Sequence, residues 1–187
     1  MSERGILLEQ GGFGKRLEGI RVAVLTASER LSRGEGRDES GEVIADVVTK
    51  EGAIVCERIV VPDDRGTIRD HLIRLADGGI ADVILTTGGS GLAPRDVTPE
   101  ATLDVVERLI PGIPEAARVR TLEKTAMAML SRSVAGVRGQ TLIVNLPGSP
   151  KGAREWLEVI LPVIPHAISL IKGEVYPWGK PHESPSL

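Results

Sequence analysis

The chain has 187 residues, 41% of them apolar and 26% charged, with a net charge of −3. That suits one domain burying about 70% of its unfolded surface, and it excludes a disordered chain and a coiled coil. No apolar run approaches the ~20 residues of a membrane span, the acidic balance excludes a general nucleic-acid binder, and the few aromatics (Phe13, Trp156, Tyr176, Trp178) leave no stacking platform for bases.

Residues 1–19, with the short run Ile6-Leu7-Leu8 and the stretch Gly11-Gly12-Phe13-Gly14, read as an N-terminal extension. They lack the pattern of a secretory signal, so a cytoplasmic location is the expectation. Ile20 to Thr26 is a β-branched run, a buried strand. Ser40 then stands as an N-cap ahead of the helical stripe Val43, Ile44, Val47 and Val48. Ala53 to Val61 is a second strand, with the single cysteine, Cys56, as a small core residue; one cysteine excludes an internal disulfide framework and a multi-cysteine zinc site. Ile68, Leu72 and Leu75 mark a helix ending at Gly78-Gly79. Ala81 to Thr86 is a third strand, followed by a glycine loop to Val97 and by Thr98-Pro99, an N-cap with proline in the first turn. The helix so opened carries Leu103, Val106 and Leu109. Ile113 to Lys124 reads as helix, Met127 to Val137 as a small hairpin and Gln140 to Leu146 as a strand. Pro147-Gly148 turns into a last helix whose buried side holds Trp156, Leu157, Ile160, Leu161, Ile164, Ile168 and Ile171, bent by Pro162 and Pro165. The domain is expected to span 20–173, with 174–187 a polar tail.

Strands alternating with helices predict an α/β fold: three layers, a mostly parallel central sheet with helices on both faces, and a small β-hairpin subregion. In such folds ligands sit off the carboxyl ends of the strands. The loops to search are therefore 27–40, 62–66, 87–98 and 145–150.

Three constellations fall there. In Thr87-Gly88-Gly89-Ser90-Gly91 the glycines let a ligand approach the backbone, and the helix opening near Pro99 adds partial positive charge; together they suit a phosphate. The loop is neither a Walker loop nor a dinucleotide fingerprint, and it also reads as an ordinary turn. Asn145-Leu146-Pro147-Gly148-Ser149-Pro150 repeats the logic, so two helix starts open on one edge, an arrangement suited to a nucleotide; two independent, well-capped helices are the plainer alternative. In Pro62-Asp63-Asp64 one aspartate caps the next helix while the other is available as a hard oxygen ligand for Mg²⁺. His71, His166 and His182 show no metal spacing and read as structural or surface residues.

Leu85-Thr86-Thr87-Gly88-Gly89-Ser90-Gly91, Pro94-Arg95-Asp96-Val97-Thr98-Pro99-Glu100 and Asn145-Leu146-Pro147-Gly148-Ser149-Pro150 resemble the molybdopterin adenylyltransferase family, which includes the N-terminal domain of gephyrin. Leu130-Ser131-Arg132 and Gly136-Val137-Arg138-Gly139 extend the resemblance, which runs from Ile20 to Lys172. It implies transfer of AMP from ATP to the terminal phosphate of molybdopterin, with Mg²⁺, pyrophosphate as co-product, a homotrimer, and hand-off to a molybdenum-insertion protein. It implies Asp63 and Asp96 as catalytic and metal-binding acids. Gly88, Gly89, Ser90, Gly91, Pro147, Gly148 and Ser149 are the nucleotide residues so implied, and Ser131 and Asn145 the pterin residues. Two departures are visible: Ser90 replaces the usual threonine, and Glu29 stands where the first loop usually has aspartate. A non-catalytic pterin-binding module of the same fold is the alternative. A nicotinamide-dependent oxidoreductase is disfavoured by the missing fingerprint.

Overall fold

The computed structural model describes residues 15–174. Six strands form one sheet in the order β2-β1-β3-β6-β5-β4. β1 (Arg21–Ala27), β2 (Ile54–Val61), β3 (Val83–Thr87) and β6 (Thr141–Leu146) are mutually parallel; β4 (Arg108–Leu109) and β5 (Ala135–Arg138) add an antiparallel edge. Because successive strand residues point to opposite faces, the aliphatic runs supply two cores. Val22, Val24, Val83, Leu85, Leu142 and Val144 face one way, against α2 (Glu39–Lys50), α5 (Gly112–Leu122), α6 (Pro150–Ile160) and α7 (Ile164–Ile171). Ala23, Leu25, Ile84 and Ile143 face the other, against α3 (Arg65–Asp77) and α4 (Thr98–Leu103). This is the expected three-layer architecture. The four parallel strands all run out into the loops singled out from sequence, and the short helix α1 (Glu29–Ser32) lies in the first of them.

Several local expectations are corrected by tertiary contacts. The α4 helix stops at Leu103, so Val106 and Leu109 are not on it: Glu107 N bonds Val137 O, and Arg108-Leu109 pairs with β5. Residues 126–130 form a 3-10 turn; the hairpin lies later, between β5 and β6, where Arg138 pairs with Thr141 around Gly139. The last helix is two helices, because Pro162 and Pro165 bring no N–H to the ladder and a 3-10 turn at 161–163 separates α6 from α7. Cys56 is exposed rather than in the core, since β2 is the sheet's outer strand. Leu17, just ahead of Ile20, is fully buried, and its N–H bonds Glu51 O. The remainder of the expected extension and nearly all of the expected tail lie outside the described residues.

The edge of the sheet away from the ligand loops is closed by Asp82, which is 4% exposed. Its carboxylate accepts from Arg21 N at 2.8 Å and Arg21 Nη2 at 2.9 Å, and Lys172 Nζ lies 3.0 Å away. Burial alone raises a carboxyl pKa, but these bonds outweigh it and bring Asp82 down to about 2. A depressed acid stabilises the fold fully above its unfolded pKa near 4, and that contribution is lost as the pH falls through about 2. Asp82→Asn is expected to cost roughly 2 kcal/mol at neutral pH and to flatten the acid limb of stability. Urea unfolding from pH 7 to pH 2 checks this, and a variant whose pH dependence parallels the wild type contradicts it.

Candidate active site

The glycine loop after β3 requires its glycines. Gly88 has φ +85° and Gly89 φ +59°. A β-carbon at Gly88 would stand 2.1 Å from Ala27 O, and one at Gly89 would stand 2.6 Å from Thr98 Oγ1. All four carbonyls of the loop are held from behind. Thr98 Oγ1 donates to Gly88 O and Thr98 N to Gly89 O, while Arg132 N donates to Ser90 O and Arg132 Nε to Gly91 O. Across a planar trans peptide the C=O of one residue and the N–H of the next point opposite ways. The N–H groups of Gly89, Ser90, Gly91 and Leu92 are therefore turned away from Thr98 and Arg132. Thr98 is thus not the N-cap expected of it; its hydroxyl shapes the loop instead.

The second loop is bound to the first. Thr87 Oγ1 donates to Pro147 O at 2.7 Å, and Ser90 Oγ to Leu146 O at 3.3 Å. Ser40, expected as the α2 cap, donates instead to Gly148 O at 2.7 Å, and Asp38 caps α2 by accepting from Gly41 N. Ser149 caps α6, accepting from Gly152 N. A β-carbon at Gly148 would lie 3.3 Å from Gly88 Cα, so the two glycine turns touch.

Both aspartates flank this junction. Asp63 follows β2, and its Oδ2 accepts from Glu29 N at 2.9 Å; its Oδ1 lies 3.6 Å from where a Gly89 β-carbon would be. Asp64 takes the capping role, accepting from Thr67 N and Oγ1, and these bonds hold its carboxyl below the usual range. Asp96 Oδ2 accepts from Ala93 N and lies 2.9 Å from a β-carbon built at Gly91. Asp63 and Asp96 thus each face a glycine of one three-residue segment. The Glu29 side chain turns to Arg33 at 2.6 Å, so its backbone, not its carboxylate, serves the site.

A groove of about 390 Å³ opens on one side of the junction, lined by Gly91, Met127, Ser131, Gly148 and Trp156 among others and largely apolar. A polar groove of about 460 Å³ opens on the other, lined by Ser28, Arg30, Arg37, Thr87, Gly88 and Gly148. Ser131 lines the first groove. Asn145 lines neither: it is fully buried, its Nδ2 donating to Thr86 Oγ1 and Thr102 Oγ1 and its Oδ1 accepting from Val134 N. It fastens the 131–134 segment to the sheet. Thr98, Ser40, Arg132 and Arg118 were not read as site residues from sequence. Ser40 and Thr98 carried a signal, a hydroxyl just before a helix, but it pointed to a local cap.

The family model described as "Probable molybdopterin binding domain" matches residues 23–166. The chain belongs to this molybdopterin-binding domain family. It is 41% identical over 159 residues to a molybdopterin adenylyltransferase of Helicobacter pylori, covering 84% of this chain and 90% of that protein. It is 43% identical over 177 residues to gephyrin of Dictyostelium discoideum, covering 89% of this chain and 24% of that one. Among solved structures, the molybdopterin biosynthesis enzyme MoaB of Thermus thermophilus is 52% identical, with a TM-score of 0.77 over 83% of this chain and 98% of that one. In this molybdopterin-binding domain the matched stretch holds both grooves' shared wall, both glycine turns and both aspartates.

Proposed function

We propose that the chain is a molybdopterin adenylyltransferase of molybdenum cofactor biosynthesis, joining AMP from ATP to the terminal phosphate of molybdopterin and releasing pyrophosphate. The observation that carries this reading is the meeting of an apolar and a polar groove at one pair of touching glycine turns, with Asp63 and Asp96 beside them. The relatives named molybdopterin adenylyltransferase agree with it.

The apolar groove, with Ser131 in its wall, accepts the pterin, and Asn145 acts on it through the 131–134 segment. The polar groove and the glycine turns accept ATP. A molybdopterin phosphate oxygen attacks the α-phosphorus of ATP; the new O–P bond forms as the bond to the β-phosphate bridge breaks. That oxygen is already anionic, so no general base is needed, and no histidine among the described residues lines either groove. The obstacle is repulsion between anions, and fixed N–H groups at residues 89–92, turned away from Thr98 and Arg132, reduce it without reorganisation. The N-terminus of α6 adds positive potential from the second turn. Proteins usually hold Mg²⁺ through one or two carboxylates. Asp63 and Asp96 supply that number, and no group of three or more acids, histidines or cysteines among the described residues forms a closed cage. Bound there with ATP, the ion supplies charge neutralisation at the phosphates.

Incubation with molybdopterin, ATP and Mg²⁺ is expected to release pyrophosphate only when all three are present. Release without molybdopterin, or none with it, overturns the reading. The product would pass to a molybdenum-insertion protein. A cytoplasmic location and a catalytic unit of 20–173 complete the proposal; no helix among the described residues is long and apolar enough to cross a membrane. A homotrimer is part of the same reading. It is supported by an apolar face at the β4 edge, where Leu109, Val163 and Leu170 are half exposed around a 590 Å³ hollow. Light scattering is expected to give three times the protomer mass. A protomer mass contradicts it, and a hexamer points to the pterin-binding branch of the fold.

A further inference from the structure

We propose that Arg132 is the positioning residue of the glycine loop, setting the direction of the amides that meet the nucleotide's phosphates; this rests on reading that loop as the nucleotide site. Arg132 lies next to Ser131, yet its side chain leaves the apolar groove and crosses to the other loop. Its Nε donates to Gly91 O at 2.6 Å and its Nη2 to Asp96 O at 2.6 Å, while its own N–H donates to Ser90 O at 3.1 Å. Its Nη1 is paired with the Glu100 carboxylate, which orients the guanidinium from the first turn of α4. Glu100 Oε2 is buried without a hydrogen-bond partner among the described residues, so Arg132 supplies the carboxylate's neutralising contact.

The arm stands on an independent base. Arg118 Nη1 donates to Ser131 O at 3.4 Å and Ser133 O at 3.2 Å, and Asn145 holds Val134 N. The 131–134 segment is therefore fixed without help from the Arg132 side chain. The 91–96 loop is not: its residues Leu92 to Arg95 are exposed, and two of its carbonyls end on one guanidinium. Releasing Gly91 O frees the peptide that carries Leu92 N, and releasing Asp96 O loosens the turn that places the Asp96 carboxylate. A planar fork with several rigid donors can hold Gly91 O, Asp96 O and Glu100 at once, whereas a lysine ammonium is a point charge on a flexible stem.

The test compares wild-type protein with Arg132→Lys and Arg132→Gln. Amide hydrogen exchange at residues 91–97 is expected to rise about tenfold in both, with the β3 and β6 amides unchanged. The affinity for the ATP analogue with a β,γ-imido bridge is expected to weaken at least tenfold, about 1.4 kcal/mol. Lysine should not rescue, because the fork is what matters. Glu100→Gln, which keeps the guanidinium and removes its orienting charge, should reproduce the local exchange in a smaller degree and serves if the arginine variants do not fold. Exchange at 91–97 and nucleotide affinity both equal to wild type, or a full rescue by lysine, overturns the proposal. If wild type itself binds no nucleotide, the functional reading fails, and the exchange measurement alone decides the role of Arg132.

Discussion

Asp63→Asn and Asp96→Asn are each expected to lower turnover by at least roughly 10², a loss of about 2.7 kcal/mol of transition-state stabilisation. The two carboxylates flank a three-residue glycine segment, one on the Gly89 side and one on the Gly91 side. Asparagine matches the shape and removes the charge, so it tests the charge itself. It also keeps the local structure. Asp63 Oδ2 accepts from Glu29 N and Asp96 Oδ2 from Ala93 N, and an amide oxygen can accept in the same place. The thermal midpoint should therefore change little, and molybdopterin affinity should hold, since the groove that Ser131 lines includes neither aspartate. Steady-state rates with pyrophosphate detection, alongside thermal unfolding, separate the outcomes. Folded variants with wild-type turnover remove the catalytic assignment, and unfolded variants make the aspartates local turn residues and nothing more.

Asn145→Leu should have the largest effect on stability, about 3 kcal/mol or more. Its amide satisfies three groups, Thr86 Oγ1, Thr102 Oγ1 and Val134 N, at a fully buried position. Leucine is close in volume but leaves Val134 N and Thr86 Oγ1 without the bonds Asn145 makes to them, while Thr102 Oγ1 keeps its bond to Thr98 O, and each unmet buried group costs on the order of 1–3 kcal/mol. For a domain of this size that lowers the thermal midpoint by roughly 6–12 °C. Loss of molybdopterin affinity should appear only with that destabilisation, because the side chain lines neither groove. Calorimetry and pterin binding on the same preparation check this. A variant as stable as wild type that fails to bind pterin would restore Asn145 to direct contact with the ligand.

The sheet was legible in sequence because its strands are aliphatic runs whose alternate residues feed two cores: Val22 and Val24 on one side, Ala23 and Leu25 on the other. The ligand edge followed from topology, since every parallel strand empties into a loop rich in glycine or polar residues. What failed was local reading of groups whose partners are distant in the chain. Ser40 and Thr98 look like caps because a hydroxyl before a helix usually is one, yet Ser40 bonds Gly148 across 108 residues and Thr98 bonds Gly88. Leu103, Val106 and Leu109 recur at a spacing of three that imitates a helix, but pairing of Glu107 with Val137 draws the chain into the sheet. Arg132 carried no local signal beyond its place after Ser131. Its importance lies in three backbone carbonyls of one remote loop, which no periodicity reveals.

The account rests on AMP moving from ATP to the pterin phosphate. The most direct measurement uses ATP labelled at the α-phosphorus, incubated with the protein, molybdopterin and Mg²⁺, with separation of the pterin product. The label is expected in the pterin product, with one pyrophosphate released for each, and to be lost from it in Asp96→Asn. Label recovered only as ATP or free AMP, with an unlabelled pterin, would contradict the account.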